Sequence, residues 1–224
     1  MSHSEITTPT SHLQAHFQTM EQQRETSVVG MWTFLATEVM FFGGLFIAYM
    51  VYRLAHYAAF AAASKELNVT IGAINTAVLI ASSLTMAMSV HEAQEGRRKL
   101  VIIFVILTLI FGLTFLGLKG YEWYDHISKH EAPGPSFHIE PDKVRGDARS
   151  MELFFGFYFV MTGLHALHMI IGVGLVSWVL YQAWRREISA HYHNPVESVG
   201  LYWHFVDIIW IYLFPLLYLV DRHP

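Results

Sequence analysis

"WTFLATEVMFFGGLFIAYMV" occupies residues 32–51 and contains one ionisable side chain, Glu38. An apolar helix of about 20 residues, rising about 1.5 Å per residue, crosses the roughly 30 Å hydrocarbon layer of a bilayer. The stretch therefore reads as a transmembrane helix with an acid inside it. The same criterion gives five spans, at about 28–52, 67–90, 100–121, 151–184 and 196–220. The apolar runs are continuous, whereas the strands of a membrane barrel would alternate polar and apolar residues in segments of about ten. The expected fold is an all-α integral membrane bundle of five transmembrane helices over residues 28–224. A polar N-terminal tail, residues 1–27, precedes it.

Composition supports this reading. Of 224 residues, 54% are hydrophobic and 14% charged, and the mean hydropathy is +0.36; soluble domains carry about a quarter charged residues. A net charge of -4 leaves no basic surplus for nucleic acid. The absence of cysteine excludes disulfides, thiolate metal sites and cysteine nucleophiles. The tail lacks the basic-then-apolar layout of a cleaved secretory signal. It reads as a solvated segment, with weak metal binding by His3, His12 and His16 as the alternative.

The short basic connections "HEAQEGRRK" (91–99) and "RREISAHYHNP" (185–195) fall on the same side as the N-terminus in a five-span chain. The connection "AHYAAFAAASKE" (55–66) is nearly uncharged. The positive-inside rule then puts the N-terminus in the cytoplasm, although the loop 125–150 carries Lys129, Lys143, Arg145 and Arg149 on the opposite side. Ala77, Ala81, Thr85 and Ser89 recur every four residues, a small-residue stripe expected to form a close helix contact. Tyr121, Trp123 and Tyr124 read as an interfacial aromatic belt.

Ionisable groups at membrane depth cost roughly 2.5–3.5 kcal/mol, so they face protein, water or a partner. Glu38 has Phe34, Leu35, Phe41 and Phe42 around it on its helix, an apolar surround for an acid. Two roles fit: a proton-handling or gating acid, or a hydrogen-bonded acid that orders a helix interface or a lipid headgroup. "MTGLHALHM" puts His165 and His168 on one helix face with Met161 and Gly172. These could ligate haem or copper with His204 on another helix, or form a hydrogen-bonded helix contact or a phosphate pocket. "YWHFVDIIWIYLF" aligns Trp203, Asp207 and Trp210 on one face, with His204 three residues before Asp207 as its expected pairing partner. Lys119 and Glu122 have the same spacing and the same expectation. No nucleotide-phosphate loop, Ser-His-Asp order or zinc signature occurs.

Taken in order, "WTFLATEVMFF" (32–42), "NTAVLIASS" (75–83), "FLGLKGYEW" (115–123), "FYFVMTGLHALHMIIG" (157–172) and "YWHFVDIIWIYLFPLLYLV" (202–220) resemble the subunit III family of haem-copper terminal oxidases, in its short five-helix form. The resemblance covers most of the chain, leaving out the tail and the loop 125–150. It implies a multi-pass subunit of the bacterial plasma membrane without haem or copper of its own and with no catalytic residue; those cofactors would sit in subunits I and II. It implies bound phospholipid, and support of assembly and of sustained proton uptake by subunit I, as the complex reduces oxygen to water in aerobic respiration. Glu38 corresponds to the family's intramembrane carboxylate. His165, His168, His204, Asp207, Trp203, Trp210, Asn75 and Glu122 correspond to its lipid-cleft or interface polar residues. Lys119 departs from the family pattern, which has a Gln-like residue there. The family contains cytochrome c oxidases and quinol oxidases, and nitric-oxide reductase accessory proteins resemble it. Glu38 favours the cytochrome c branch, because the short quinol form tends to have aspartate. A haem-binding membrane cytochrome and a proton or small-solute channel built on Glu38 and Asp207 are the rival classes.

Overall fold

The computed structural model describes residues 17, 19–134, 137, 147–186, 188 and 193–220. His3, His12 and His16 lie outside them, as do Lys143 and Arg145. Six helices form among the described residues: α1 (Met20–Ala55), α2 (Tyr57–Glu66), α3 (Val69–Gln94), α4 (Arg98–Ser128), α5 (Ala148–Trp184) and α6 (Asn194–Tyr218). All but α2 are long and apolar enough to cross a membrane.

Side-chain caps set several of the starts. Thr19 Oγ1 accepts the Gln22 amide at 3.1 Å, so α1 begins ahead of the expected membrane entry at residue 28. Asn68 Oδ1 accepts the Thr70 and Ile71 amides ahead of α3, and Asp147 Oδ1 accepts the Arg149 amide ahead of α5. Pro195 stands in the first turn of α6, where its missing N–H costs nothing. At 37 residues α5 is about 55 Å long, well over the hydrocarbon thickness, and projects beyond it.

The core is a ring of four helices, α3–α4–α5–α6, closed by contact between α3 and α6. α1 lies outside this ring, chiefly against α6. Its outward residues Trp32, Val39, Met40 and Ile47 are exposed. In a membrane protein such a face meets lipid or another subunit.

Two features differ from expectation. Residues 57–66 are the helix α2, and Phe60, Ala59 and Ala63 on it are buried. Alanine-rich sequence favours helix, and Phe60 docks against Tyr49 and Phe154 at ring separations of 5.5 and 5.6 Å. The small-residue stripe on α3 forms a close contact in its second half only, where Ser89 is buried and Thr85 Oγ1 meets Thr108 Oγ1 of α4 at 2.8 Å. Ala77 is exposed and Ala81 and Thr85 are half-buried. The buried face runs instead through Gly72, Asn75, Leu79, Ser82, Met86 and Ser89. A helix contacting both α4 and α6 buries the arc between them, and a single-partner stripe does not mark that arc.

Trp203 of α6 is the wedge of the core. Added Cβ atoms at Gly112 on α4 and Gly172 on α5 would meet its indole at 2.7 and 3.0 Å. Its Nε1 donates to Ser82 Oγ at 3.1 Å.

The exposed carbonyl ends of two helices are closed by side chains. Tyr49 Oη on α1 donates to the Leu216 carbonyl at 2.9 Å, and Ser64 Oγ on α2 donates to the Leu217 carbonyl at 2.7 Å. These carbonyls lie in the last turn of α6, and among the described residues no backbone amide satisfies them. Arg98 donates to the Ala183 and Trp184 carbonyls at the end of α5, both at 2.5 Å. One cation of the basic connection 91–99 thus has a structural task.

Candidate functional site

Glu38 and His168 meet across α1 and α5. Glu38 Oε2 lies 3.2 Å from His168 Nε2. His168 Nδ1 lies 2.8 Å from the Leu164 carbonyl, which can only accept, so Nδ1 carries a hydrogen. One proton is therefore shared on the other side of the ring. Either a neutral carboxyl donates to Nε2, or Nε2–H donates to a carboxylate. The Phe42 ring stands 5.3 Å from the imidazole, and the Tyr202 hydroxyl donates to the His168 carbonyl at 3.1 Å. Both side chains keep a minority of their surface exposed, 19% for Glu38 and 13% for His168. The acid that looked alone in its helix thus has a partner, at the edge of the bundle.

His165 diverges from His168. It is buried in the ring of four, with its imidazole 5.4 Å from Phe115 and 5.2 Å from Trp210. Neither ring nitrogen has a hydrogen-bond partner among the described residues. His204 turns to α3, where its Nδ1 meets Ser83 Oγ at 2.7 Å. The expected His204–Asp207 pairing therefore does not form. Asp207 faces the interior, buried, with both carboxyl oxygens unpartnered among the described residues. On a helix, a three-residue step turns one side chain about 60° from the other, which suffices here to send His204 to one neighbour and Asp207 to the core. Asn75 is buried on α3, its amide likewise unpartnered among the described residues. Its neighbour Thr76 accepts the Trp210 indole N–H at 3.1 Å. The three imidazoles point to three different places, so no two of them converge on one bis-histidine haem iron. Among the described residues no group of three His, Cys, Asp or Glu side chains could hold a metal.

The strongest polar constellation joins α4, α5 and α6. Lys119 and Glu122 pair as expected, Nζ to Oε2 at 3.1 Å, each with 2% of its side chain exposed. Two tyrosines that sequence reasoning did not single out complete it. Lys119 Nζ also donates to Tyr158 Oη at 3.0 Å and to Tyr218 Oη at 2.6 Å, and Tyr218 Oη donates to Glu122 Oε1 at 2.6 Å. All three ammonium hydrogens are used, and both carboxylate oxygens accept. The ammonium also faces the rings of Tyr158, Trp210 and Tyr218 at 4.6, 5.1 and 5.3 Å. A buried pair is tolerable only when satisfied in this way. The available signal was spacing: Tyr158 precedes His165 by two turns on the same face of α5. Of the aromatic belt, Tyr121 and Tyr124 are exposed, while Trp123 donates to Thr162 Oγ1 at 3.3 Å inside the bundle.

The fold and these sites define a multi-pass membrane protein held together by buried polar networks, with one shared-proton pair at its edge. The chain matches the family described as Cytochrome c oxidase subunit III over residues 5–221. It is 32% identical to the quinol oxidase subunit 3 of Bacillus subtilis (strain 168) over 205 residues, which are 90% of this chain and 92% of that protein. It is 34% identical to the cytochrome c oxidase subunit 3 of Gadus morhua over 195 residues, 84% of this chain and 67% of the relative. The chain belongs to the subunit III family of haem-copper oxidases. Membership implies association with the other subunits of such an oxidase.

Proposed function

We propose that this chain is the non-redox subunit III of a haem-copper cytochrome c oxidase. In this reading the haem and copper belong to subunits I and II, and this chain has no catalytic residue. It supports assembly, holds phospholipid, and sustains proton uptake by subunit I during oxygen reduction. The membrane is the bacterial plasma membrane, with the N-terminus in the cytoplasm. The observation that carries the reading is the Glu38–His168 pair, placed at the edge of the bundle where a partner or lipid can reach it, in a chain of the subunit III family. The interior groups Asn75, His165, Asp207, Trp203, Trp210 and Glu122 then hold the bundle in register, and His204 ties α6 to α3.

Purification from native membranes tests this. Haem-copper subunits should accompany the chain, and the chain separated from them should show no Soret band. A Soret band in the isolated chain overturns the reading in favour of a membrane cytochrome.

A quinol oxidase is the second reading, favoured by the match along 92% of the Bacillus subtilis protein. Glu38 is the residue that favours cytochrome c. The purified complex decides between them: it should oxidise reduced cytochrome c and leave quinol largely unoxidised.

A further inference from the structure

α1 and α3 both pack on α6, and among the described residues they do not touch each other. A strip of α6 is therefore left open between them. Ile208 and Ile211 stand four and seven residues after His204, on the same helix face, and both are exposed. On α3, Ile80 and Leu84 flank Ser83 and are exposed as well. This is a different face from that of Glu38 and His168, which meet between α1 and α5.

His204 is the polar group of the strip, and it is half-buried. Its Nδ1 meets Ser83 Oγ at 2.7 Å. The Ser83 hydrogen has two places to go: Nδ1, or the carboxyl of Asp207, which the same hydroxyl approaches. In the first case Nε2 carries the ring hydrogen and must donate. In the second Nδ1 carries it and Nε2 must accept. Either way Nε2 has no partner among the described residues, and they do not enclose it.

Depth decides what can meet this nitrogen. His204 is the eleventh of the 25 residues of α6, two residues or about 3 Å from the middle of the helix. The hydrocarbon layer extends about 15 Å to either side of its midplane, so phosphates, ester carbonyls and bulk water lie far from Nε2. Acyl chains offer it no hydrogen bond, and a polar group left unpaired in hydrocarbon is costly. A side chain on another spanning helix can reach the same depth. Because Nε2 donates in one tautomer and accepts in the other, a hydroxyl or a carboxamide serves both.

We infer that the strip of α6 between α1 and α3 is a docking surface for a transmembrane helix of a partner subunit, anchored by a hydroxyl or carboxamide side chain on His204 Nε2. Ile80, Ile208 and Ile211 supply the apolar contact around the anchor. The inference rests on membership of a family of oxidase subunits and is independent of the electron donor.

The complex in native membranes tests it. The chain has no cysteine, so Ile208→Cys gives it a single thiol. Labelled with a benzophenone maleimide, irradiated and then purified, it should carry an adduct with a membrane-spanning peptide of another subunit, read by mass spectrometry. Adducts with phospholipid alone, or with a second copy of this chain, overturn the inference. His204→Phe should lower retention of the crosslinked subunit in detergent about tenfold, the effect of one lost hydrogen bond. His204→Gln keeps a donor and an acceptor and should restore most of that retention. Ser83→Ala breaks only the inner bond and should leave retention unchanged. Equal effects of His204→Phe and Ser83→Ala, in retention as in melting temperature, overturn the inference, because His204 would then be only a tie between α6 and α3. The crosslink is read with His204 in place, so it decides the matter even where His204→Phe fails to fold. The subunits present in the same preparation score the oxidase reading separately: a full set with a lipid-only adduct counts against this surface alone.

Discussion

Glu38 and His168, on helices 130 residues apart in sequence, hold one proton between Oε2 and Nε2 at 3.2 Å, with the far side of the ring fixed on the Leu164 carbonyl. Glu38→Gln can keep the bond, because its amide can donate to Nε2 or its side-chain oxygen accept from Nε2–H, but it removes the ionisable carboxyl. The Glu38→Gln complex is expected to assemble, begin turnover near the wild-type rate, and lose activity sooner during sustained oxygen reduction. Glu38→Leu removes the bond as well and should cost about 1–3 kcal/mol through the unpaired imidazole, seen as weaker retention of the chain in the complex. Oxygen electrode traces over extended turnover make the comparison. Immediate loss of all activity in a haem-replete Glu38→Gln complex would contradict an accessory role.

The Lys119–Glu122–Tyr158–Tyr218 network yields a double-mutant test. Lys119→Met strands a buried carboxylate and Glu122→Leu strands a buried ammonium. Each should destabilise by about 3–5 kcal/mol. The double variant should recover much of that loss, because two apolar side chains leave no buried charge. Thermal unfolding in detergent, followed by tryptophan fluorescence, measures all four corners. Additive losses would show that the two charges do not compensate each other.

Trp203 sets limits on two glycines. Gly112→Ala and Gly172→Ala push a methyl group into the indole, and overpacking of this kind costs about 1–3 kcal/mol. Gly174→Ala, also in α5 but in open space, should be neutral or slightly stabilising. Equal melting temperatures for all three would mean that Trp203 is free to move aside.

Ser64→Ala should cost about 1–3 kcal/mol, since among the described residues it leaves the buried Leu217 carbonyl without a donor. Tyr49→Phe should cost about 1 kcal/mol or more by the same route at Leu216. Hydrogen exchange at the end of α6 locates the effect. Protection should fall there first, with α3 and α4 unchanged.

The spanning helices were legible in the sequence because hydrocarbon imposes one rule on every span: enough apolar residues, with the backbone bonded to itself. The Lys119–Glu122 pair was legible too, since neighbours three apart on a helix face each other. That same local rule misled at His204 and Asp207. Spacing shows which groups could meet, whereas the neighbouring helix decides which way each side chain turns. α2 was hidden because its alanines carry little hydropathy and the ring partners of its docking residue Phe60, Tyr49 and Phe154, lie on other helices, α1 and α5.

The sequence by itself determined the number of spans, the lack of thiolate chemistry and the family, all of which rest on composition and order along one strand of chain. Only the tertiary structure decided that Glu38 belongs to His168, that Tyr158 and Tyr218 close the ring around Lys119, and that His204 opens on the gap between α1 and α3. Each of these depends on the depth and rotation at which separate helices pack. Those are fixed by wedges such as Trp203 between Gly112 and Gly172, and no periodicity within a single helix records them.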